Sequence, residues 1–155
     1  MPSNEPNNIY RIGEVARKLS ISVETIRVYE REGLLISEKT ESGQRHYYDT
    51  DVDWLTCIRR LIKEEGLNIE GIRRILAFMP CWEWHPCSAE DKQNCPASKS
   101  TRKPCWMLKD EVAEICRNKD CRKCTVYTSA IKCENLKPRL FAGMQTLTPP
   151  TSCEV

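Results

Sequence analysis

The chain has 155 residues, 40% of them hydrophobic and 30% charged, which is enough for one modest core with an appendage but not for two large domains. The net charge is +2, and basic and acidic residues are equally numerous between positions 11 and 74, so any DNA affinity must come from the placement of charges. No apolar run approaches the roughly 20 residues that cross a bilayer, and the polar start does not resemble an export signal. The sequence therefore predicts a cytoplasmic protein with no membrane partner.

Two short helices are predicted after a proline- and asparagine-rich leader, residues 1–8, which is expected to be disordered. The apolar residues of the first helix recur at helical spacing from Ile12 to Leu19. Ser22 stands where a second helix of about three turns needs an N-cap, and Gly33 stands where that helix ends. The outer face of the second helix is predicted to present Thr25, Arg27 and Tyr29, which are residue types that reach phosphates and base edges in a major groove.

A two-stranded wing is predicted next, with Leu34–Ile36 as its first strand and a turn at residues 41–44. Its tip presents three side chains suited to gripping a phosphate, namely Arg45, His46 and Tyr47. Thr50 is the predicted cap of a third helix. Asn68 is the predicted cap of a fourth helix, which Pro80 ends.

Four motifs in this order resemble the MerR family of bacterial transcription regulators over residues 9–79. They are Ile12-Gly13-Glu14-Val15-Ala16, the run from Val23 to Leu34, the wing from Ser42 to Tyr47, and the helix opening Asp51-Val52. The resemblance implies a winged helix-turn-helix that binds double-stranded promoter DNA as a homodimer and acts on RNA polymerase indirectly. The DNA-binding candidates are Arg17, Lys18, Thr25, Arg27, Tyr29, Arg45, His46 and Tyr47.

The chain departs from that family immediately after the fourth helix. Family members usually continue into a long helix that pairs with its twin, whereas here Pro80-Cys81-Trp82 follows at once. The only helix predicted downstream covers residues 104–117 and has about three turns. The sequence therefore does not predict the usual coiled-coil dimer interface.

The second half is predicted to be a cysteine-rich module over residues 80–135, followed by a tail over residues 136–155. Its candidate metal ligands are Cys81, Cys87, Cys95, Cys105, Cys116, Cys121, Cys124 and Cys133. A reducing compartment favours metal-bound thiolates over disulfides. Cys121-x2-Cys124 is the strongest local signal, because a two-residue spacer lets both sulfurs converge on one ion. The repetition of Pro-Cys-Trp at residues 80 and 104 resembles the two-CW type of module over residues 80–128.

The spacing leaves the cofactor open between structural zinc, an iron–sulfur cluster that senses redox state, and a haem or soft-metal detector. The tryptophans Trp82, Trp84 and Trp106 are predicted to form the small core of the module. His85 is a possible fourth ligand but is expected to be exposed. Cys57 is expected to be an ordinary buried thiol and Cys153 a free one.

These observations predict a mainly α fold, with a winged helix-turn-helix followed by a small, metal-stabilised cysteine-rich module. The predicted function is a MerR-type transcription regulator whose module senses metal or redox state. The alternative is a metal-handling or electron-transfer protein without regulatory DNA binding. An enzyme is not expected, because the chain has two histidines and lacks a glycine-rich phosphate loop and a catalytic triad motif.

Overall fold

The fold of the described chain, residues 8–133 of a computed structural model, is mainly helical, as predicted. The predicted tail with Cys153, and the predicted leader apart from residue 8, lie outside the described residues. Within residues 8–133, no helix is long and apolar enough to cross a membrane. The elements of the first half are β1 (Ile9–Arg11), α1 (Ile12–Leu19), α2 (Val23–Arg31), β2 (Glu38–Lys39), β3 (Arg45–Tyr48), α3 (Asp49–Lys63) and α4 (Ile69–Ala77).

The predicted helix-turn-helix is confirmed as α1 and α2. Helix α1 buries Val15 and Ala16 against the core, as its apolar spacing predicts. The Ser22 hydroxyl accepts a hydrogen bond from the backbone N–H of Thr25 at 3.0 Å, which caps α2. Gly33 follows α2 with φ of +76°, a conformation that a side chain disfavours.

The wing differs from the prediction in its first strand. Leu34 and Leu35 are buried in a loop, and β2 begins only at Glu38. Consecutive apolar residues resemble a strand in sequence, but here both side chains enter the core. The sheet is antiparallel with the order β1-β3-β2, so β1 adds a third strand that the sequence did not predict.

The third and fourth helices begin with different types of cap. Helix α3 begins at Asp49, and the Asp51 carboxylate accepts a 2.8 Å hydrogen bond from the backbone N–H of Tyr48, so the predicted cap at Thr50 is wrong. The Asn68 side chain accepts the backbone N–H of Gly71 at 2.7 Å, which confirms the predicted cap of α4. That helix ends at Ala77, before Pro80.

The cysteine-rich half consists of short elements. They are α5 (Ala89–Asn94), α6 (Glu114–Arg117), α7 (Thr125–Ala130) and 3₁₀ turns at Cys81–Glu83, Pro96–Ser98, Cys105–Met107 and Cys121–Lys123. The predicted continuous helix over residues 104–117 is therefore wrong. Eleven residues of straight helix would separate Cys105 from Cys116 by about 16 Å. Both cysteines instead line one cavity, so the chain must turn between them.

One apolar core continues through both halves. Val126 and Ala130 of α7 are buried in the same cluster as Leu55 and Ile58 of α3. Trp84 and Trp106 pack against this shared cluster, whereas Trp82 lines the cavity with the Lys92 ammonium 4.5 Å from its ring centre. The predicted separate tryptophan core is therefore wrong, because the module uses the core of the first half.

Two cysteine predictions are also corrected. Cys57 is buried in α3 as predicted, but it forms a disulfide with Cys133 and is not an ordinary thiol. Cys133 is thereby removed from the predicted set of metal ligands. The bridge ties the chain after α7 to the middle of α3.

We expect Cys133→Ala to lower the free energy of unfolding by about 4 kcal/mol, because the bridge closes a long loop in the unfolded chain. Denaturant unfolding of the wild-type and variant proteins, both in chelator, measures the difference. Dithiothreitol should destabilise the wild type and leave the variant unchanged as the control. Equal unfolding midpoints without reductant would contradict the bridge.

Candidate nucleic-acid interface and cysteine cavity

The three side chains predicted to face DNA from α2 have different environments. Arg27 is exposed, with 51% of its side chain accessible and a Glu24 oxygen 3.9 Å away. Thr25 is half-buried, and its hydroxyl lies 2.8 Å from that of Ser22 within the cap. Tyr29 is 6% exposed and belongs to the core, so its predicted place on the outer face is wrong. It follows Ile26 by three residues and therefore shares the buried face.

Glu30 connects α2 to the wing. One of its carboxylate oxygens lies 2.8 Å from Arg45 Nε as an ion pair, although this Nε makes no hydrogen bond within the described residues. The Tyr47 hydroxyl donates a hydrogen bond to the same carboxylate, and the Tyr47 ring is fully buried. The prediction that Tyr47 contacts DNA is therefore wrong. His46 lies half-buried on β3 and is paired in register with Arg11 and Glu38.

An arginine groove runs between α2 and the wing. We use this name for the surface lined by Arg11, Ile12, Arg27, Gly43, Gln44 and Arg45. It brings together the predicted Arg27 and Arg45 and adds Arg11, which the sequence reading missed. Arg11 directly precedes α1, and its backbone N–H donates to a Glu14 carboxylate oxygen at 2.7 Å. The sheet register with His46 places it beside the wing.

The other two predicted basic residues lie outside this groove. Arg17 and Lys18 are exposed in the last turn of α1. The Lys18 ammonium lies 5.4 Å from the centre of the Tyr10 ring. The contacts of Arg17 and Lys18 with DNA therefore remain predictions.

Seven of the eight predicted metal ligands line a single cavity in the second half. They are Cys81, Cys87, Cys95, Cys105, Cys116, Cys121 and Cys124, and all seven are free thiols. These residues come from segments spread over more than forty positions of the chain. The fold therefore brings into one cavity seven cysteines that their spacing in the sequence did not assign to a common site.

His85 also lines the cavity and is only 8% exposed, so the expectation that it is exposed is wrong. Its Nε2 lies 3.2 Å from Cys124 Sγ, and its Nδ1 lies 3.2 Å from Lys119 Nζ. Burial, with Lys119 as a second cause, lowers the pKa of His85 and favours the neutral ring. A neutral imidazole is the form that binds metals.

Three lysine side chains line the cavity together with the thiols. Lys109 Nζ lies 3.2 Å from Cys121 Sγ, and Lys92 and Lys119 line the same cavity. Burial and the neighbouring thiols raise the pKa of Cys81 to about 11 and raise that of Cys105 further. Without metal, these sulfurs therefore keep their protons at neutral pH, and metal binding must displace them.

The arrangement of the thiols on the cavity wall bears on which metal they could hold. Among residues 8–133, no group of three or more histidine, cysteine, aspartate or glutamate side chains is placed to hold a single metal ion. The donor chemistry suits a soft metal, since thiolate and imidazole are its preferred ligands.

The cysteine-rich half forms hydrogen bonds and packing contacts with residues 33–36, the segment that joins α2 to the wing. Trp106 Nε1 donates a 2.7 Å hydrogen bond to the Gly33 carbonyl, and the Met107 side chain packs over Gly33 where a Cβ would overlap it. The Tyr127 hydroxyl accepts the backbone N–H of Ile36 at 2.9 Å, while Arg122 donates to the Ile36 carbonyl. We call Trp106, Arg122 and Tyr127 the clamp.

Arg122 also neutralises a buried carboxylate. It donates two hydrogen bonds to Asp51, at 3.1 and 2.6 Å, and Asp51 is fully buried. The Arg122 guanidinium lies 5.2 Å from the centre of the Tyr48 ring. Removing the guanidinium would leave the Asp51 charge unpaired in the interior, a change that typically costs about 3–5 kcal/mol.

Comparisons with known proteins concern the first half. A family model described as "MerR HTH family regulatory protein" matches residues 10–78. The HTH-type transcriptional regulator ZntR of Escherichia coli K12 is 36% identical over 80 residues, which are 51% of this chain and 56% of that protein. The mercuric resistance operon regulatory protein of Bacillus cereus is 42% identical over 71 residues, which are 45% and 53% of the two chains. The chain thus spans about half the length of these curated relatives.

One solved structure is also similar, the crystal structure of HiNmlR, "a MerR family regulator lacking the sensor domain, bound to promoter DNA". It is 35% identical, covers 39% of this chain and 46% of that chain, and has a TM-score of 0.36. The family match and the curated relatives coincide with the two capped helices, the wing and the two helices that follow. Residues 10–78 of this protein are therefore a MerR-type helix-turn-helix domain.

Proposed function

We propose that the chain is a transcription regulator that binds promoter DNA and whose cysteine cavity holds a metal centre that adjusts this binding. The observation that carries the proposal is the arginine groove, in which Arg11, Arg27 and Arg45 line one surface of a MerR-type domain. The relatives from E. coli and B. cereus are named as regulators, which supports the same role here.

The groove has the chemistry that duplex DNA requires. Arginine forks bind phosphates or the acceptor edge of guanine with two parallel hydrogen bonds. Arg27 projects from the exposed face of α2, so we assign it to the major groove. Arg11 and Arg45 flank α2, and we assign them to the backbone phosphates. Glu30 holds Arg45 in place and leaves it 38% exposed.

Assembly and location follow from the same proposal. A two-fold-symmetric promoter is read by two copies of a domain, so we propose a homodimer that influences RNA polymerase through the shape of the promoter. Action at a promoter places the protein in the cytoplasm of a bacterial cell. The dimer surface is not assigned.

The cavity is proposed as the sensor because its donors suit metals and because it is linked to the DNA-contacting elements. The name of the B. cereus relative refers to mercury resistance, and mercury is a soft metal that binds thiolates. Zinc or an iron–sulfur cluster is the proposed cofactor. When bound, such a group would supply thiolate bonds that fix the sulfur positions, and a cluster would add a redox state.

The clamp supplies the link between sensor and DNA. Cys105 directly precedes Trp106, and Cys121 directly precedes Arg122, so a shift of either sulfur displaces a clamp residue. These residues grip residues 33–36, which separate Arg27 on α2 from Arg45 on the wing. A change at the cavity therefore changes the distance between DNA-contacting groups, and a ligand that favours one arrangement shifts the population.

We expect Arg27→Ala to weaken promoter binding by about 1–3 kcal/mol, because it removes a charged group aimed at base edges. Fluorescence anisotropy with a labelled promoter fragment, repeated at several salt concentrations, measures the loss. The matched control is Lys63→Ala, which removes one exposed positive charge at the end of α3, outside the groove. Equal affinities for wild type and Arg27→Ala, or an affinity that does not fall with salt, would refute the proposed interface.

We expect Trp106→Phe to uncouple DNA binding from the cavity, because it keeps an aromatic ring and loses the hydrogen bond to Gly33. Affinity is measured for anaerobically purified protein and for the same protein after chelation. The wild-type ratio should lie in the range of roughly 5- to 150-fold that is typical of allosteric coupling. In Trp106→Phe this ratio should approach one.

Trp84→Phe serves as the control for that experiment, since Trp84 also packs against the shared core but is not part of the clamp. It should keep the wild-type ratio. A full ratio in Trp106→Phe would show that the signal does not pass through the clamp. A wild-type ratio of one would show that the cavity does not regulate DNA binding.

A further inference from the structure

The number and arrangement of the cavity thiols exceed what one metal ion can use. A tetrahedral ion takes four ligands, whereas seven free thiols and the His85 ring line the same cavity. A single zinc ion would leave at least three thiols of the same wall without a role. Within residues 8–133, moreover, no group of three or more donors is placed to hold a metal ion.

The thiols also do not separate into two independent sets. All seven free thiols line a single cavity. Cys81 and Cys124, which come from the two ends of the module, both lie on its wall. The His85 ring of the first segment also lies 3.2 Å from the Cys124 sulfur of the last segment. The cavity is therefore one continuous thiol-lined space.

We propose that this cavity binds a polynuclear metal–sulfur cluster, with more than one metal ion joined by shared sulfur. Several metal ions joined by sulfur can use more of the seven thiols of this cavity than one tetrahedral ion can. The bridging sulfur is either inorganic sulfide or cysteine thiolate, and both arrangements use the same soft-donor chemistry. Each thiol that becomes a ligand releases one proton to solvent, so the oxidation state of the metal need not change on binding.

The surrounding charges fit an anionic cluster. Thiolate ligands together carry more negative charge than a few divalent or monovalent ions neutralise. Lys109, which lies 3.2 Å from Cys121 Sγ, and Lys92 and Lys119 on the cavity wall compensate this excess. Charge and hydrogen bonds at the sulfurs also tune the reduction potential of iron–sulfur clusters.

This inference rests on the proposed metal centre and specifies its composition. The test uses the full chain purified anaerobically, with the metals per chain, the acid-labile sulfide and the X-ray absorption spectrum measured on the same sample. We expect at least two metal ions per chain and a metal–metal scattering shell. Acid-labile sulfide would identify an iron–sulfur cluster, and its absence would identify thiolate bridges between copper or zinc ions; either result supports a polynuclear centre.

One metal ion per chain, no metal, or several ions without a metal–metal shell would overturn the inference. A single zinc ion together with metal-dependent DNA affinity would leave the proposed function intact and remove only the cluster. An intact cluster without metal-dependent DNA affinity would leave the cluster intact as an inference and remove the proposed regulatory function. The failure of one proposal can therefore be distinguished from the failure of the other.

Variants identify the cavity as the location of the metal. Cys105→Ser should reduce the metal content to half or less, while Cys133→Ser should retain it, because Cys133 is bonded to Cys57 outside the cavity. If Cys105→Ser does not fold, alkylation of the wild type followed by mass spectrometry replaces it. Cavity cysteines should react more slowly before chelation than after it, and equal reactivity would refute binding in the cavity.

Discussion

The grip of the cysteine-rich half on residues 33–36 is the contact on which the rest of the arrangement depends. This segment leaves α2 through the left-handed Gly33 and reaches the wing within a few residues, so its position fixes Arg45 relative to Arg27. Its backbone groups at Gly33 and Ile36 are paired with Trp106, Tyr127 and Arg122. Each of these hydrogen bonds stabilises the contact by about 0.5–1.5 kcal/mol net, and the apolar core shared by both halves adds to them. The geometry of the proposed DNA interface is thus set partly by residues outside the MerR-type domain.

The second half depends equally on the first. Its own fully buried apolar side chains are few, and Val126, Tyr127 and Ala130 lie where α7 meets the first half. Beyond these side chains the half has the thiol cavity, and Cys81, Cys105 and Cys124 on the cavity wall also pack against the shared core. A domain of this size rarely gains enough stability from apolar burial alone, and metal–thiolate bonds commonly replace the missing core. The proposed cluster would therefore stabilise the same loops that carry Trp106 and Arg122, so folding of the module and signalling through the clamp use the same bonds.

Features determined by neighbouring residues in the sequence could be predicted. The caps at Ser22 and Asn68 and the stop at Gly33 each depend on contacts within three or four positions, and all three are confirmed. The strand β1 could not be predicted in this way, because it forms only by pairing with β3 some thirty-six residues later. Tyr29 and Tyr47 were misplaced for a related reason. A tyrosine suits both a DNA surface and a core, and only the packing of α2 against the wing decides between them.

The spacing of the cysteines in the sequence does not predict which of them lie together in the fold. Cys121 and Cys124 are close in any fold, but the approach of Cys105 to them requires the chain to turn between residues 105 and 116, where apolar periodicity predicted a continuous helix. Tertiary contacts override the local helical preference here. Trp106 donates a hydrogen bond to Gly33 while Cys105 and Cys116 line one cavity, and a straight helix cannot satisfy both conditions. Likewise, Cys133 follows the Cys121-x2-Cys124 pair by only nine residues, yet it lies after α7 and is bonded to Cys57. A set of ligands gathered from distant segments is therefore a property of the fold, and only its donor chemistry can be read from the sequence.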